Sequence, residues 1–228
     1  MSNNVVNPGA SVAAAARKLR IAVLGASGGV GRRIVERALD RGCDVVCQTR
    51  NAGKLANVAA RVRVLAFDPR DAGKLGEFVG GADVVIFALG IDSAGATTLF
   101  SDVTGALIAA MKKEQVKRLI AVTGIGAGET RGHGGFLYDR IIFPLFTRKR
   151  YDDKNRQEAL IAASGLDWII VRPARFVEDD VTGPFEVHTR IAPSTVLRRV
   201  TRDEVAAFIV EQIDNDRYLR QRPFIGHP

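Results

Sequence analysis

Glycines at 25, 28 and 31, spaced G-x-x-G-x-x-G, are the residues of this 228-residue chain whose type and spacing speak most directly of chemistry. Glycine turns tightly and lets backbone N–H groups approach a ligand, and a helix that starts in such a turn adds partial positive charge. That is chemistry for holding phosphate. The turn as a whole, Gly25-Ala26-Ser27-Gly28-Gly29-Val30-Gly31, leaves an apolar run over 21–24 and enters a stretch where Val30, Ile34, Val35 and Leu39 recur at helical spacing. Strand, turn and helix in this order cradle the pyrophosphate in dinucleotide-binding folds, whose usual spacing is G-x-G-x-x-G. Arg50-Asn51 then closes a second apolar run, 44–49, with Lys54 a turn further on. An acid at that strand end binds the ribose 2′-hydroxyl of NAD, whereas arginine accommodates the 2′-phosphate of NADP. With Arg50 in place and Asp44 at the wrong end of the strand, the expectation is NADPH over NADH. Asp68-Pro69 ends a third run where an adenine ring would cross the strand ends, although Asp-Pro is also a common turn opening.

The elements that must position these residues alternate along the chain. Residues 21–24, 44–49, 62–67, 83–89, 116–122 and 168–171 read as strands, and 30–39, 72–78, 94–113 and 150–164 as helices, the last closed by Gly165. The fourth strand ends in Ala88-Leu89-Gly90, where glycine lets a cofactor cross closely above, and the fifth ends in Thr123-Gly124. This alternation predicts an α/β fold of Rossmann type, a doubly wound parallel sheet with helices on both faces and the ligand at the carboxyl ends of the strands. After Thr123 a glycine-rich loop runs to 135, long enough to be functional or mobile, and 136–146 is aromatic-rich and ambiguous between a helix and a lid. Residues 174–199, with prolines at 184 and 193, form the substrate-side excursion. Thr201-Arg202-Asp203-Glu204 opens the final helix as a capping box, and 223–225 reads as a last edge strand. The first 18 residues read as a disordered or fraying tail and 19–228 as a single NAD(P)-binding domain, without internal repeat or linker.

Composition narrows the partners. A net charge of +8 suits anionic ligands such as dinucleotide phosphates, while the scattered basic residues, with no recognition motif, speak against specific nucleic-acid binding. The two cysteines, Cys43 and Cys47, are four apart around the second strand and read as buried free thiols on one face. Histidines at 133, 188 and 227 are too scattered to build a metal site with them, so no metal is expected. Low cysteine usage, no transmembrane-length apolar run and no signal-peptide pattern point to a cytoplasmic protein that binds no membrane.

Taken together, Gly25-x-x-Gly28-x-x-Gly31, Ala88-Leu89-Gly90, Val122-Thr123-Gly124 and Lys154-x-x-x-Glu158 leading into Ala163-Ser164-Gly165-Leu166-Asp167-Trp168-x-x-Val171-Arg172-Pro173 carry a resemblance. Over about 19–213 the chain resembles the atypical short-chain dehydrogenase/reductase superfamily, in particular the small NAD(P)H-binding reductases similar to biliverdin and flavin reductases. The resemblance implies that the glycine turn with Ser27 holds the pyrophosphate, Arg50 the 2′-phosphate and Asp68 the adenine edge. It also implies Thr123 beside the nicotinamide and the substrate carbonyl, Lys154 on the nicotinamide-ribose hydroxyls, and Pro173, Ala174 and Arg175 in the turn that meets the carboxamide.

The sequence departs from the superfamily's Tyr-x-x-x-Lys pattern, in which lysine lowers the tyrosine pKa for proton transfer. Arg150 stands four before Lys154, and Tyr151 only three before it. Tyr151 and Tyr138 are the candidate proton donors, each equally readable as a packing residue. The departure favours acceptors that need little from a protein acid, namely a flavin, a quinone or a similar conjugated small molecule. Phe136, Phe143, Phe146 and Phe176 either line the pocket for it or belong to the core. The leading expectation is an NADPH-dependent oxidoreductase, monomeric or homodimeric. Its rivals are a non-catalytic NAD(P)-sensing regulator similar to the nitrogen-repressor type and a nucleotide-sugar epimerase or dehydratase, the latter weakened by the short stretch after Pro173.

Overall fold

The structure, a computed structural model, describes residues 17–90, 97–133, 135, 140, 148–178 and 181–228. In chain order the described strands are β1 (Arg20–Leu24), β2 (Asp44–Thr49), β3 (Arg63–Ala66), β4 (Val84–Phe87), β5 (Arg118–Val122), β6 (Asp167–Pro173), β7 (Phe176–Val177), β8 (Glu186–His188), β9 (Val200–Thr201) and β10 (Phe224–Gly226). The helices are α1 (Gly29–Asp40), α2 (Ala72–Val79), α3 (Leu99–Lys113), α4 (Arg148–Ala162) and α5 (Arg202–Glu211).

Eight strands form one sheet in the order β3-β2-β1-β4-β5-β6-β10-β8, parallel except for β8, and β7 pairs with β9 separately. The chain turns from β1 outward to β2 and β3, then returns to place β4 on the other side of β1. β1 and β4 therefore diverge at the topological switch point, where crevices in such sheets lie. Both faces are covered, which explains why the central strands are nearly continuous apolar runs. Along β1 the buried side chains alternate: Ile21 and Val23 pack into the layer containing Ile34, Val35 and Ala38 of α1 and Val205 and Ile209 of α5. Ala22 and Leu24 pack into the opposite layer with Leu75, Phe78, Phe100, Leu107 and Ile161 from α2, α3 and α4. Cys43 and Cys47 are free and buried in the first of these layers; burial pushes the Cys47 thiol up to about 12.

Two expectations change. β10 is not an edge strand, because it lies between β6 and the antiparallel β8, and β8 is the edge. The backbone of β10 is paired on both sides, which three apolar residues at the chain end did not reveal. The excursion over 174–199 also supplies two short strands, β7 and β8, which its mixed composition did not reveal. The capping box is as expected: Thr201 Oγ1 accepts from Glu204 N at 3.1 Å, and Thr201 N donates to Glu204 Oε2 at 2.8 Å. Gly165 closes α4 with φ +77°. At the amino-terminal end Arg17 is paired with Asp83 rather than free. Residues 1–16, Tyr138 and the ring-bearing residues Phe136, Phe143 and Phe146 lie outside the described residues. Among the described residues no helix is long and apolar enough to cross a membrane.

Candidate functional site

The glycine turn leaves β1 at the switch point, and its glycines are there for space as well as conformation. Gly25 has φ +83°, and a Cβ on it would stand 2.9 Å from Ala88 O at the end of β4. A Cβ on Gly31 would come within 2.2 Å of Gly25 O, so the first turn of α1 packs directly on the loop. Gly28 is the N-cap of α1 and has no side chain to satisfy the first-turn N–H groups, and that turn carries no acid. Gly29, Val30 and Gly31 thus supply donors and dipole to the space outside the turn, as the phosphates of a dinucleotide require. A Cβ on Gly90, by contrast, would meet nothing within 4 Å among the described residues.

Residues outside the glycine pattern hold this cradle in shape. Buried Gln48, on β2, accepts from Gly25 N at 3.0 Å and donates through Nε2 to Phe67 O at 2.7 Å, so one amide ties the turn to the end of β3. Thr49 Oγ1 is hydrogen-bonded to Ser27 Oγ at 2.8 Å and lies 3.1 Å from Asn51 O, so it joins the glycine turn to the end of β2. Neither residue was singled out from sequence, where Gln48 and Thr49 read only as the polar end of a strand. Arg50 follows them, exposed and without a hydrogen-bond or ion-pair partner among the described residues. Asn51 accepts from Gly53 N at 3.0 Å and Asp68 from Arg70 N at 2.9 Å, so both carboxamide and carboxylate serve local turns at the strand ends. Pro69 is buried behind Asp68, while Asp68 itself is exposed.

At the carboxyl end of β5, α4 brings a buried polar cluster against Thr123. Thr123 Oγ1 donates to Glu158 Oε1 at 2.7 Å, and the same carboxylate accepts from Arg172 of β6 at 3.1 Å (Nε) and 2.6 Å (Nη2). Arg172 Nη1 reaches Glu129 at 2.8 Å. Burial alone would lower the pKa of the Arg172 guanidinium, but the Glu158 and Glu129 carboxylates outweigh it and hold it above the ordinary arginine value. Lys154, 7% exposed, donates to Thr123 O at 2.8 Å and lies 4.5 Å over the Phe100 ring. Tyr151 stands one turn before it. Its hydroxyl lies 2.5 Å from where a Cβ on Gly124 would be, so glycine at 124 is required by the tyrosine as well as by φ +147°.

The structure brings Thr123, Lys154 and Tyr151 together, and adds Glu158, Arg172 and Glu129 as their support. It also pins the start of the loop after β5. Residues 124–127 are buried, Gly128 N donates to Asn155 Oδ1 at 2.9 Å, and Gly128 (φ +53°) passes over Arg172 where a Cβ would meet Nη2 at 2.5 Å. His133 Nδ1 then meets Thr195 O at 2.7 Å. Pro173 and Ala174 are buried and Arg175 exposed at the end of β6, with Ala174 N bonded to Ile225 O at 2.9 Å. Phe176 is half-buried and carries Arg202 over its ring at 5.0 Å.

A parallel sheet of this strand order, with a glycine cradle at the β1/β4 switch point, defines a Rossmann-type dinucleotide-binding protein. The chain belongs to the NAD(P)H-binding family, which it matches over residues 25–216. It is 27% identical over 207 residues to the Bacillus subtilis protein named uncharacterized sugar epimerase YhfK, covering 86% of this chain and 88% of that one. Among solved structures it is similar to ChuY, an anaerobillin reductase from Escherichia coli O157:H7, at 25% identity and TM-score 0.74, covering 92% of this chain and 97% of the other. A short-chain dehydrogenase/reductase from Veillonella parvula in complex with NADP shares the fold at 17% identity and TM-score 0.74, covering 93% and 96% of the two chains. The chain is thus an NAD(P)-binding protein of oxidoreductase-like fold.

Proposed function

We propose that this protein is an NADPH-dependent reductase that delivers hydride to a conjugated small-molecule acceptor such as a flavin or a quinone. The observation that carries the proposal is the inward commitment of the polar groups at the end of β5: Thr123 donates its proton to Glu158, and Lys154 donates to the Thr123 carbonyl. A site so arranged can orient a nicotinamide while offering little acid to a substrate carbonyl. When bound, the nicotinamide supplies the hydride, and a delocalised acceptor can take its proton from water. The glycine turn and Ser27 hold the pyrophosphate, Arg50 the 2′-phosphate, and Asp68 and Pro69 flank the adenine. Ala88, Leu89 and Gly90 give the dinucleotide passage, and Pro173, Ala174 and Arg175 meet the carboxamide. Thr123 and Lys154 fix the end of β5 beneath the nicotinamide, with Tyr151 the described candidate for a proton donor. The likeness to ChuY supports the reductase reading.

The likeness to YhfK supports a second reading, a sugar epimerase, against which Tyr151 stands only three residues from Lys154. Stopped-flow oxidation of NADPH against flavins, quinones and biliverdin is the test. Turnover with at least one of them is expected, with NADPH bound at least about tenfold tighter than NADH, and Arg50→Gln erasing that preference, as loss of a charge-assisted bond of about 1.5–3 kcal/mol requires. Tight NADPH binding without oxidation by any acceptor would overturn the reductase in favour of a sensor, and interconversion of nucleotide sugars would establish the epimerase.

A further inference from the structure

Arg202, the first residue of α5, lies across the glycine turn. A Cβ on Gly29 would stand 2.8 Å from both Cδ and Nε of Arg202, so the side chain rests directly on the opening residue of α1. Its guanidinium is stacked 5.0 Å over Phe176 and paired with Glu178. The pairing of β7 with β9, Val177 opposite Thr201, sets Glu178 and Arg202 as the next residues along those two strands. Between them and Arg33 opens a cavity of about 370 Å³.

The amino end of α1 is the positive end of its dipole, has no acid in its first turn, and is followed at once by Arg32 and Arg33. A third cation laid on that end is repelled unless an anion lies among them. In this structure the anion paired with Arg202 is Glu178, whose side chain is 75% exposed and reaches in from a strand end, while Asp203 and Glu204, which also line the cavity, are engaged by Arg37 and His227. A carboxylate so exposed is a weak partner and easily exchanged. A diphosphate seated on Gly29, Val30 and Gly31 would offer Arg202 a stronger one, since a guanidinium pairs with phosphate in bidentate geometry.

Building on the reading of the turn as a dinucleotide site, we propose that Arg202 is a pyrophosphate ligand of the bound cofactor, and that Glu178 is its internal counter-ion, displaced on binding. α5 thereby contributes to a site otherwise built from the ends of β1 to β6, the first turn of α1 and α4. Fluorescence titration of the full chain with NADPH and with NADH tests this in the wild type, Arg202→Gln, Glu178→Gln and the double variant. Arg202→Gln is expected to weaken both dinucleotides about tenfold and equally, because the pyrophosphate is common to them. Glu178→Gln is expected to tighten both severalfold, and to have no effect once Arg202 is gone.

Equal affinity of wild type and Arg202→Gln, with wild-type circular dichroism, would overturn the proposal; so would a loss confined to NADPH, which would put Arg202 at the 2′-phosphate. Unchanged or weaker binding by Glu178→Gln would overturn the exchange even if Arg202→Gln failed to fold. A wild type that binds neither dinucleotide would overturn the underlying reading itself, a result distinct from each of these.

Discussion

Glu158 stands where three functions of single residues meet: it accepts the Thr123 proton, neutralises Arg172, and sits on α4 one turn after Lys154. All three partners are buried, so removing the carboxylate leaves Arg172 inside the protein with only the exposed Glu129 as its partner. Breaking a buried pair from one side costs roughly 3–5 kcal/mol, whereas replacing both members by apolar groups is often neutral. Glu158→Ala is therefore expected to lower the urea unfolding free energy by about that amount, and Glu158→Ala with Arg172→Met to recover much of it. Additive losses in the double variant would show that the two residues are not coupled. The motif Lys154-x-x-x-Glu158 and the Arg172-Pro173 pair were visible in the sequence, but their link was not, because 14 residues and the α4 to β6 connection separate Glu158 from Arg172. Gln48 was hidden for a similar reason: a polar residue at a strand end reads as solvent-facing until the turn that it holds is folded against it.

At the scale of elements, the alternating strands and helices were legible because each central strand is an apolar run and α1, α2 and α3 each carry an apolar stripe, whereas α4 buries Asp153, Lys154, Gln157 and Glu158 beside Ile161. Short elements were not. β7, β8 and β9 have two or three residues each, and their pairing is decided by what lies beside them rather than by their own pattern. Contacts between helices were equally hidden. α3 lacks a side-chain cap from Thr98; instead Asp153 of α4 accepts from Phe100 N at 2.8 Å and Ser101 N at 3.3 Å, and Arg156 accompanies it at 3.1 Å. A fully buried carboxylate thus serves as an N-cap supplied by a neighbour. Asp153→Ala leaves those N–H groups buried without an acceptor and is expected to cost about 1–3 kcal/mol. Asp153→Asn, which keeps an acceptor oxygen, should lose less. Equal losses in thermal unfolding would mean that charge, not the hydrogen bonds, joins the two helices. Since α4 carries Lys154 and Tyr151, loosening this joint should also weaken the registration of both against Thr123.

For the whole molecule, carboxylates tie distant parts of the chain together in a protein of high positive charge. Asp83 holds Arg17 and the backbone of Arg20, Glu129 holds Arg172, and Glu204 joins the start of α5 to His227 at 2.8 Å. In each of the three, burial would raise the carboxyl pKa, but the hydrogen bonds and positive charges around it prevail and hold it below the ordinary value. A lowered folded-state pKa means that the unfolded chain binds protons first as pH falls, so stability from these groups is complete above the ordinary carboxylate range and drains away below it. Protonation has a second effect here. With 33 lysines and arginines against 25 acids, neutralising the acids leaves a strongly cationic chain whose self-repulsion favours expansion. Urea midpoints are therefore expected to hold nearly constant from pH 7 to about 5 and to fall steeply below about pH 4. Added salt should recover part of the repulsive component but not the part due to the three paired carboxylates. Asp83→Asn and Glu204→Gln should each flatten the acid limb while lowering the plateau at pH 7. A midpoint that stays level down to about pH 3, or variants that leave the limb unchanged, would show that these ties do not govern the acid stability of the fold.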